Sequence, residues 1–283
     1  MKTGLVLEGG AIRTVYSSGV LDYYIEKGLT FDYNVGVSAG IAYAMNYFSG
    51  QKERNVRDIL TYVDDPRYMG LRHLFNPKNR CYFNLKFDYD TIPNELDPFD
   101  YDAYEAYPGE IEAGLTNIET GEVHWFHPDR RDPKSYLMQA TCALPIMFPI
   151  FEYEGMKVMD GGCVDSIPWR RALEKGCDKV VVILTREPTY VRGQEGAIKL
   201  IRHSFRKYPK FLEMLETRPE RYNKSHAELF ELAEEGKVFI YTPKNTQGFS
   251  RTEKDKDKIR ALYQNGYDDA KARWDELMAY LEK

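Results

Sequence analysis

Two strand–glycine–helix units follow one another in the first fifty residues, and few folds accommodate such a pair. Residues 5–7 are an apolar run too short for a helix and flanked by glycine, which predicts a buried parallel strand. The run stops at Gly9-Gly10, after which Val15, Gly19, Val20, Tyr23 and Tyr24 recur at helical spacing as far as Lys27-Gly28. A glycine turn between strand and helix leaves backbone N–H groups unpaired at the positive helix end, so this turn is suited to face an anion. The second unit repeats the plan, with residues 33–37 as strand and Ile41, Ala42, Ala44, Met45, Tyr47 and Phe48 as helix. At its corner lies Gly36-Val37-Ser38-Ala39-Gly40. A serine on a sharp strand-to-helix turn points its hydroxyl out of the sheet, on a backbone strained for any residue with a Cβ. Ser38 therefore reads as a nucleophile.

A serine hydroxyl is a weak nucleophile until a neighbouring group accepts its proton. Histidine is the usual acceptor. Here His203 and His226 lie in polar helical sequence, while His73, His124 and His127 look like loop or strand residues. Asp160 is the stronger candidate, because Asp160-Gly161-Gly162 follows a predicted hairpin and the two glycines permit close approach to a neighbouring backbone. A buried carboxylate with few donors has a raised pKa, which suits a base. The same tripeptide also makes a self-sufficient turn, and that reading stays open. Asp165, just before Ile167-Pro168, is better placed to cap the next helix.

The rest of the chain sets the frame. Residues 52–64 look helical; residues 66–108 are aromatic and proline-punctuated, with seven carboxylates spread over residues 88–105. No Asp-x-Asp-x-Asp-Gly spacing occurs there, so the segment is expected to cover a site rather than hold calcium. Residues 110–116 and 122–126 form a predicted strand pair, 134–142 a helix, 151–153 and 156–159 a hairpin, and 180–184 the clearest buried strand. Helices are expected near 195–215, 219–235 and 253–282, with one more strand at 238–241. Strands alternating with helices predict an α/β fold with a mostly parallel sheet covered on both faces. The expected division is a catalytic domain over 1–190 and a mostly helical region over 191–283 packed on it.

Composition narrows the function. A formal charge of −5 argues against nucleic-acid binding, and no apolar run approaches the length of a membrane span. Met1-Lys2-Thr3 runs directly into the first strand, so no signal peptide is expected. Cys81, Cys142, Cys163 and Cys177 lack metal-ligand or Cys-x-x-Cys spacing, which fits reduced thiols in the cytoplasm.

Glu8-Gly9-Gly10-Ala11-Ile12-Arg13, Gly36-Val37-Ser38-Ala39-Gly40 and Asp160-Gly161-Gly162 resemble, in order, the three signatures of patatin-like phospholipases. The stretch from Ala140 through Phe148-Pro149 is similar to that family's segment before the aspartate hairpin. The resemblance implies a three-layer α/β/α fold and hydrolysis of fatty-acyl esters in lipids, without cofactor or metal. It implies Ser38 as nucleophile and Asp160 as general base. The N–H groups around Gly9, Gly10 and Ala11 would form the oxyanion hole, joined by that of Ala39 at its own helix start. The family turn carries a third glycine and another after the arginine, where this chain has Ala11 and Thr14; alanine keeps its N–H but resists positive φ. Arg13 is expected to tie neighbouring elements together, with a phosphate head group as its other reading.

Residues 199–215 carry Ile201, Phe205, Tyr208, Leu212 and Leu215 on one seam, beside a stripe of Lys199, Arg202, Arg206 and Lys210. Such a helix packs its seam into a core or rests on an anionic membrane surface. Two rival functions remain open: a nucleotide- or phosphate-binding α/β protein, and a catalytically quiet relative that binds lipid. The first lacks both the Gly-x-Gly-x-x-Gly spacing and a Walker lysine.

Overall fold

The computed structural model describes residues 1–77 and 79–282; Lys78, inside the expected covering segment, and Lys283 lie outside the described residues. Its strands are β1 (Thr3–Leu7), β2 (Tyr33–Gly36), β3 (Glu110–Asn117), β4 (Glu122–Phe126), β5 (Phe151–Tyr153), β6 (Met156–Asp160), β7 (Lys179–Ile183) and β8 (Val238–Tyr241). They form one sheet in the order β5-β6-β3-β2-β1-β7-β8, with β4 paired to β3. The five strands from β3 to β8 in that order run parallel; β4, β5 and β6 add antiparallel hairpins at one side.

Side-chain alternation along the central strands fixes the layers. In β1, Leu5 and Leu7 join a core with Val181 and Ile183, whereas Val6 points into the opposite core with Val35, Val180 and Val182. Both faces are apolar and both are covered, so the short strands read as continuous hydrophobic runs.

The helices are α1 (Val15–Lys27), α2 (Ala39–Phe48), α3 (Arg54–Tyr62), α4 (Tyr101–Ala106), α5 (Tyr136–Thr141), α6 (Trp169–Glu174), α7 (Ile198–Ser204), α8 (Pro209–Glu216), α9 (Arg218–Glu234), α10 (Lys256–Ala272) and α11 (Trp274–Glu282). Helices α1, α2, α10 and α11 bury their apolar residues on the Leu5 face, and α6 and α9 bury theirs on the Val6 face. The result is a three-layer α/β/α arrangement with additional C-terminal helices. The C-terminal part is bound into the sheet through β8, which pairs with β7. It also grips α1: a Cβ on Gly19 would lie 2.1 Å from the Tyr263 carbonyl oxygen, and one on Gly266 would lie 2.0 Å from that of Tyr16. Larger residues at this helix crossing would push α1 and α10 apart.

Three local outcomes differ from the sequence expectation. The helix expected over 195–215 is two helices, because Tyr208 precedes Pro209 and takes φ −122°, ψ 70°, outside the helical region. The helix expected over 253–282 breaks at Arg273, whose guanidinium donates to the Ile240 carbonyl at 2.6 Å. The covering segment contains more helix than its pattern indicated: a 3₁₀ turn (Leu71–Phe75), a π-helix (Phe87–Leu96) with Pro93 inside, and α4, capped by the Asp100 carboxylate.

Candidate active site

Ser38 sits between the end of β2 and the start of α2 with φ 56°, ψ −145°, a conformation that side-chain-bearing residues rarely adopt. The strain is held locally. The Ser38 N–H donates to the Thr141 hydroxyl at 3.0 Å, and that hydroxyl donates to the Gly114 carbonyl at 2.7 Å. The glycine turn after β1 packs directly on this corner: a Cβ on Gly9 would lie 2.7 Å from Ser38 Cβ, and one on Gly40 would lie 2.6 Å from the Glu8 carbonyl oxygen. Both positions exclude a side chain, because the two turns touch through their backbones.

Among the described residues, the N–H groups of Gly9, Gly10, Ala11 and Ala39 donate to no other protein group. Ala11 takes φ 50°, which places a Cβ in the left-handed region. Below the turn, the buried Glu8 carboxylate accepts from Thr185 N–H at 2.6 Å, Thr185 Oγ1 at 3.1 Å and Tyr222 Oη at 2.7 Å. That network ties β1, the segment after β7, and α9 together beneath the turn.

Asp160 ends β6, opposite Leu115 of β3, and its Oδ1 accepts the Gly162 N–H at 2.7 Å. The self-contained turn expected of Asp-Gly-Gly is therefore present, and the same carboxylate lines the small cavity together with Ser38. Burial pushes the Asp160 carboxyl above its ordinary pKa, offset in part by Arg218, the Ser38 hydroxyl, the Gly162 N–H and Arg251. Asp165 accepts from Ile167 N–H at 3.3 Å and, against expectation, does not cap α6, whose N-cap is Pro168.

Two cavities meet at Ser38, and both are lined by Ala11, Ser38 and Leu144. The larger, about 180 Å³, is walled by residues such as Ala42, Ile59, Ile92, Phe99 and Phe148, with much of one side supplied by the covering segment. Cys142 lines it too, its thiol pushed up to about 12 by burial and so protonated. The smaller, about 30 Å³, is lined by Gly9, Gly10, Asp160 and Gly162 together with four arginines. No histidine lines either cavity among the described residues. His226 instead lies between the rings of Tyr222 and Phe230, while His73 and His127 meet the carbonyls of Pro66 and Ile111.

Arg13 corrects an expectation. Its guanidinium makes no hydrogen bond or ion pair among the described residues, so it ties nothing together; it lines the small cavity with Nε buried and unpartnered. Desolvation, then Arg186 and Arg251, lowers its pKa to about 10. Sequence reasoning also missed Thr141, Arg192, Arg218 and Arg251. The last three lie far along the chain from Ser38, and no motif in the sequence links them to it.

Glu110, Glu112 and His127 approach closely enough to ligate a metal, away from Ser38. Their charge is already answered, since Lys175 Nζ lies 2.6 Å from Glu110 and 2.8 Å from Glu112, and Arg171 Nε lies 2.8 Å from Glu112. Against desolvation, hydrogen bonds from Arg171, Lys175 and Tyr33 hold Glu112 down at about 2.

The sequence model of the patatin-like phospholipase family matches residues 5–173. The chain belongs to the patatin-like phospholipase family. Residues 208–282 of this patatin-like chain match a second family described only as a domain of unknown function, DUF6363. An uncharacterized protein of Escherichia coli (strain K12), YjjU, is 26% identical over 198 residues, 65% of this chain. The chain spans about half of that relative's length, 52%. The crystal structure of VipD from Legionella pneumophila aligns over 97% of this chain and 67% of its own, with 13% identity and a TM-score of 0.42.

Proposed function

We propose that this patatin-like protein hydrolyses acyl esters of lipids, with Ser38 as nucleophile and Asp160 as general base. One observation carries the reading: Ser38 and the buried Asp160 carboxylate line one small cavity beside N–H groups that have no protein partner. Asp160 accepts the hydroxyl proton as Ser38 Oγ attacks the ester carbonyl carbon. The resulting oxyanion is met by N–H groups of Gly9, Gly10, Ala11 and Ala39. Asp160 returns the proton to the departing alkoxide, leaving an acyl-serine. It then takes a proton from water, which attacks the acyl carbon, and passes that proton to Ser38 Oγ as the acyl–serine bond breaks and the acid leaves.

Each oxyanion donor contributes about 10²–10³ in rate, and a positioned base about 10²–10⁴. Fixed N–H dipoles near a small cavity act without reorganisation, which is why the strained corner is worth its cost. The apolar cavity is suited to the acyl chain. Any contact with a lipid surface falls in this reading to the 3₁₀ turn at 71–75, because Leu71 and Phe75 are 68% and 86% exposed. The seam over 199–215 is unsuited to it, since Ile201, Phe205 and Leu215 are buried in the protein. The four unpaired cysteines fit a reducing cytoplasm.

The test is hydrolysis of a lipid acyl ester by the parent, Ser38→Ala and Asp160→Asn proteins. The expected losses are about 10³-fold or more for Ser38→Ala and about 10²-fold or more for Asp160→Asn, with the fold retained. Full activity in either variant overturns the assignment. The lipid-binding rival gains no specific observation, since a relative without chemistry has no use for a strained serine beside a buried carboxylate.

A further inference from the structure

The small cavity beside Ser38 sets four arginines against one lining carboxylate, Asp160. Arg13, Arg192, Arg218 and Arg251 all line it, together with Asp160 and the Ser166 side of the turn after β6. One carboxylate, Glu195, serves three of these arginines, at 3.5 Å from Arg192, 3.2 Å from Arg218 and 2.8 Å from Arg251. The fourth, Arg13, is 5% exposed and has no ion-pair partner among the described residues. Buried Nε atoms of Arg13, Arg192 and Arg218 are likewise without a hydrogen-bond partner. A buried guanidinium left unpaired is costly, so a cluster of this kind is arranged for an anion that arrives from outside.

Position says what that anion is attached to. Ser38 stands where the two cavities meet, with the apolar one on one side and the arginine-lined one on the other. An ester whose carbonyl lies at Ser38 therefore projects its acyl chain into the first and its other substituent toward the arginines. The second cavity, about 30 Å³, has room for about two waters, which matches a compact oxyanion rather than a second chain. Guanidinium forks match tetrahedral phosphate oxygens in geometry as well as charge.

We propose that Arg192, Arg218 and Arg251, with Arg13, form a subsite for a phosphate group carried by the ester substrate, so that residues beyond 190 complete the substrate site. The headgroup assignment rests on reading Ser38 as an esterase nucleophile; the anion subsite itself does not. It gives the C-terminal region, whose matching family has no assigned function, a part in recognition. Arg251 is anchored for that part, because its carbonyl accepts the Ile12 N–H at 3.3 Å and so fixes it to the glycine turn. Arg218 is held by the Ser166 hydroxyl at 3.4 Å.

The alternative account is that these arginines only neutralise Glu195 and keep Asp160 ionised. Two measurements separate them. First, binding of inorganic phosphate and of glycerol 3-phosphate to the full chain is followed by calorimetry in the parent, Arg251→Gln, Arg192→Gln/Arg251→Gln and Arg202→Gln proteins. Arg251, at 38% side-chain exposure, tolerates replacement best, and Arg202, paired with Glu216 on the surface, serves as control. Saturable binding that weakens about tenfold or more in the Arg251 variants but not in Arg202→Gln is expected. Second, the ratio of kcat/KM for a phosphatidyl ester over a diacylglycerol of the same chains is expected to fall about tenfold or more in Arg251→Gln.

Absence of phosphate binding in the parent overturns the subsite. Phosphate binding with an unchanged ratio overturns the substrate headgroup as its source and leaves a free phosphate ligand. Phosphate binding in a protein that hydrolyses no ester contradicts the esterase reading and not the subsite.

Discussion

The Ser38 N–H and the Thr141 hydroxyl are 3.0 Å apart, and this bond joins the strained corner to α5 and, through Gly114, to β3. Thr141 makes no contact with the reacting atoms in the proposed mechanism; it positions the residue that does. Thr141→Val keeps the shape and removes both bonds, leaving a buried N–H and a buried carbonyl at about 1–3 kcal/mol each. The expected result is a lower unfolding midpoint and a kcat reduced about tenfold or more, with KM changed less. Thr141→Ser, which keeps the hydroxyl, should restore kcat. If Thr141→Val loses stability alone, the residue does not position Ser38.

Asp160 sets the acid limb of the activity profile. Its carboxyl is raised by burial and partly lowered again by Arg218, by Ser38 and Gly162, and by Arg251. Since the ionised form is the base, kcat/KM should rise with pH through a value above the ordinary carboxylate pKa of about 4. Replacing Arg218 with glutamine removes a nearby cation that favours the ionised form, so the limb should move to higher pH. A limb at or below the ordinary value, or a shift downward, contradicts Asp160 as base.

Asp88 lines the larger cavity, and its Oδ1 is buried with no partner among the described residues. Burial alone drives its pKa well above the usual range. In the folded chain it therefore keeps a proton that the unfolded chain gives up near pH 4, about the model-peptide value. The associated stability is fully present below that pH and is lost as pH rises toward the folded pKa. Asp88→Asn removes this dependence, so its stability advantage over the parent should grow between about pH 4 and pH 8. Urea unfolding at both pH values measures it; a constant difference contradicts a protonated Asp88.

Leu71 and Phe75 are the two most exposed large apolar residues of the covering segment among the described residues, with Arg72 between them. Leu71→Ser/Phe75→Ser should weaken sedimentation with vesicles of mixed neutral and anionic phospholipid by about fivefold or more. Replacing Lys199, Arg202, Arg206 and Lys210 by glutamine should change it less. The reverse order would move lipid contact back to α7 and α8.

The parts of the site that sequence makes legible are those whose chemistry is local. Gly9-Gly10 and Gly36-Val37-Ser38-Ala39-Gly40 are turns written within a few residues, and Asp160-Gly161-Gly162 carries its own cap. The arginines are illegible for the opposite reason. Arg192, Arg218 and Arg251 lie far from Ser38 in the chain, and arginine in polar sequence looks solvated until the fold brings three of them to Glu195. Thr141 was visible only as a small residue on a helix face, since its partner lies 103 positions away. The π-helix over Phe87–Leu96 escaped because its repeat is longer than the 3.6-residue period and Pro93 interrupts it.

The central claim is that Ser38 is an activated nucleophile and Asp160 activates it. Fluorophosphonate labelling followed by peptide mapping tests this without knowledge of the substrate. The account predicts one adduct, on Ser38, forming about 10²-fold or more slower in Asp160→Asn. An adduct on another residue, or equal labelling of Ser38 in both proteins, contradicts it.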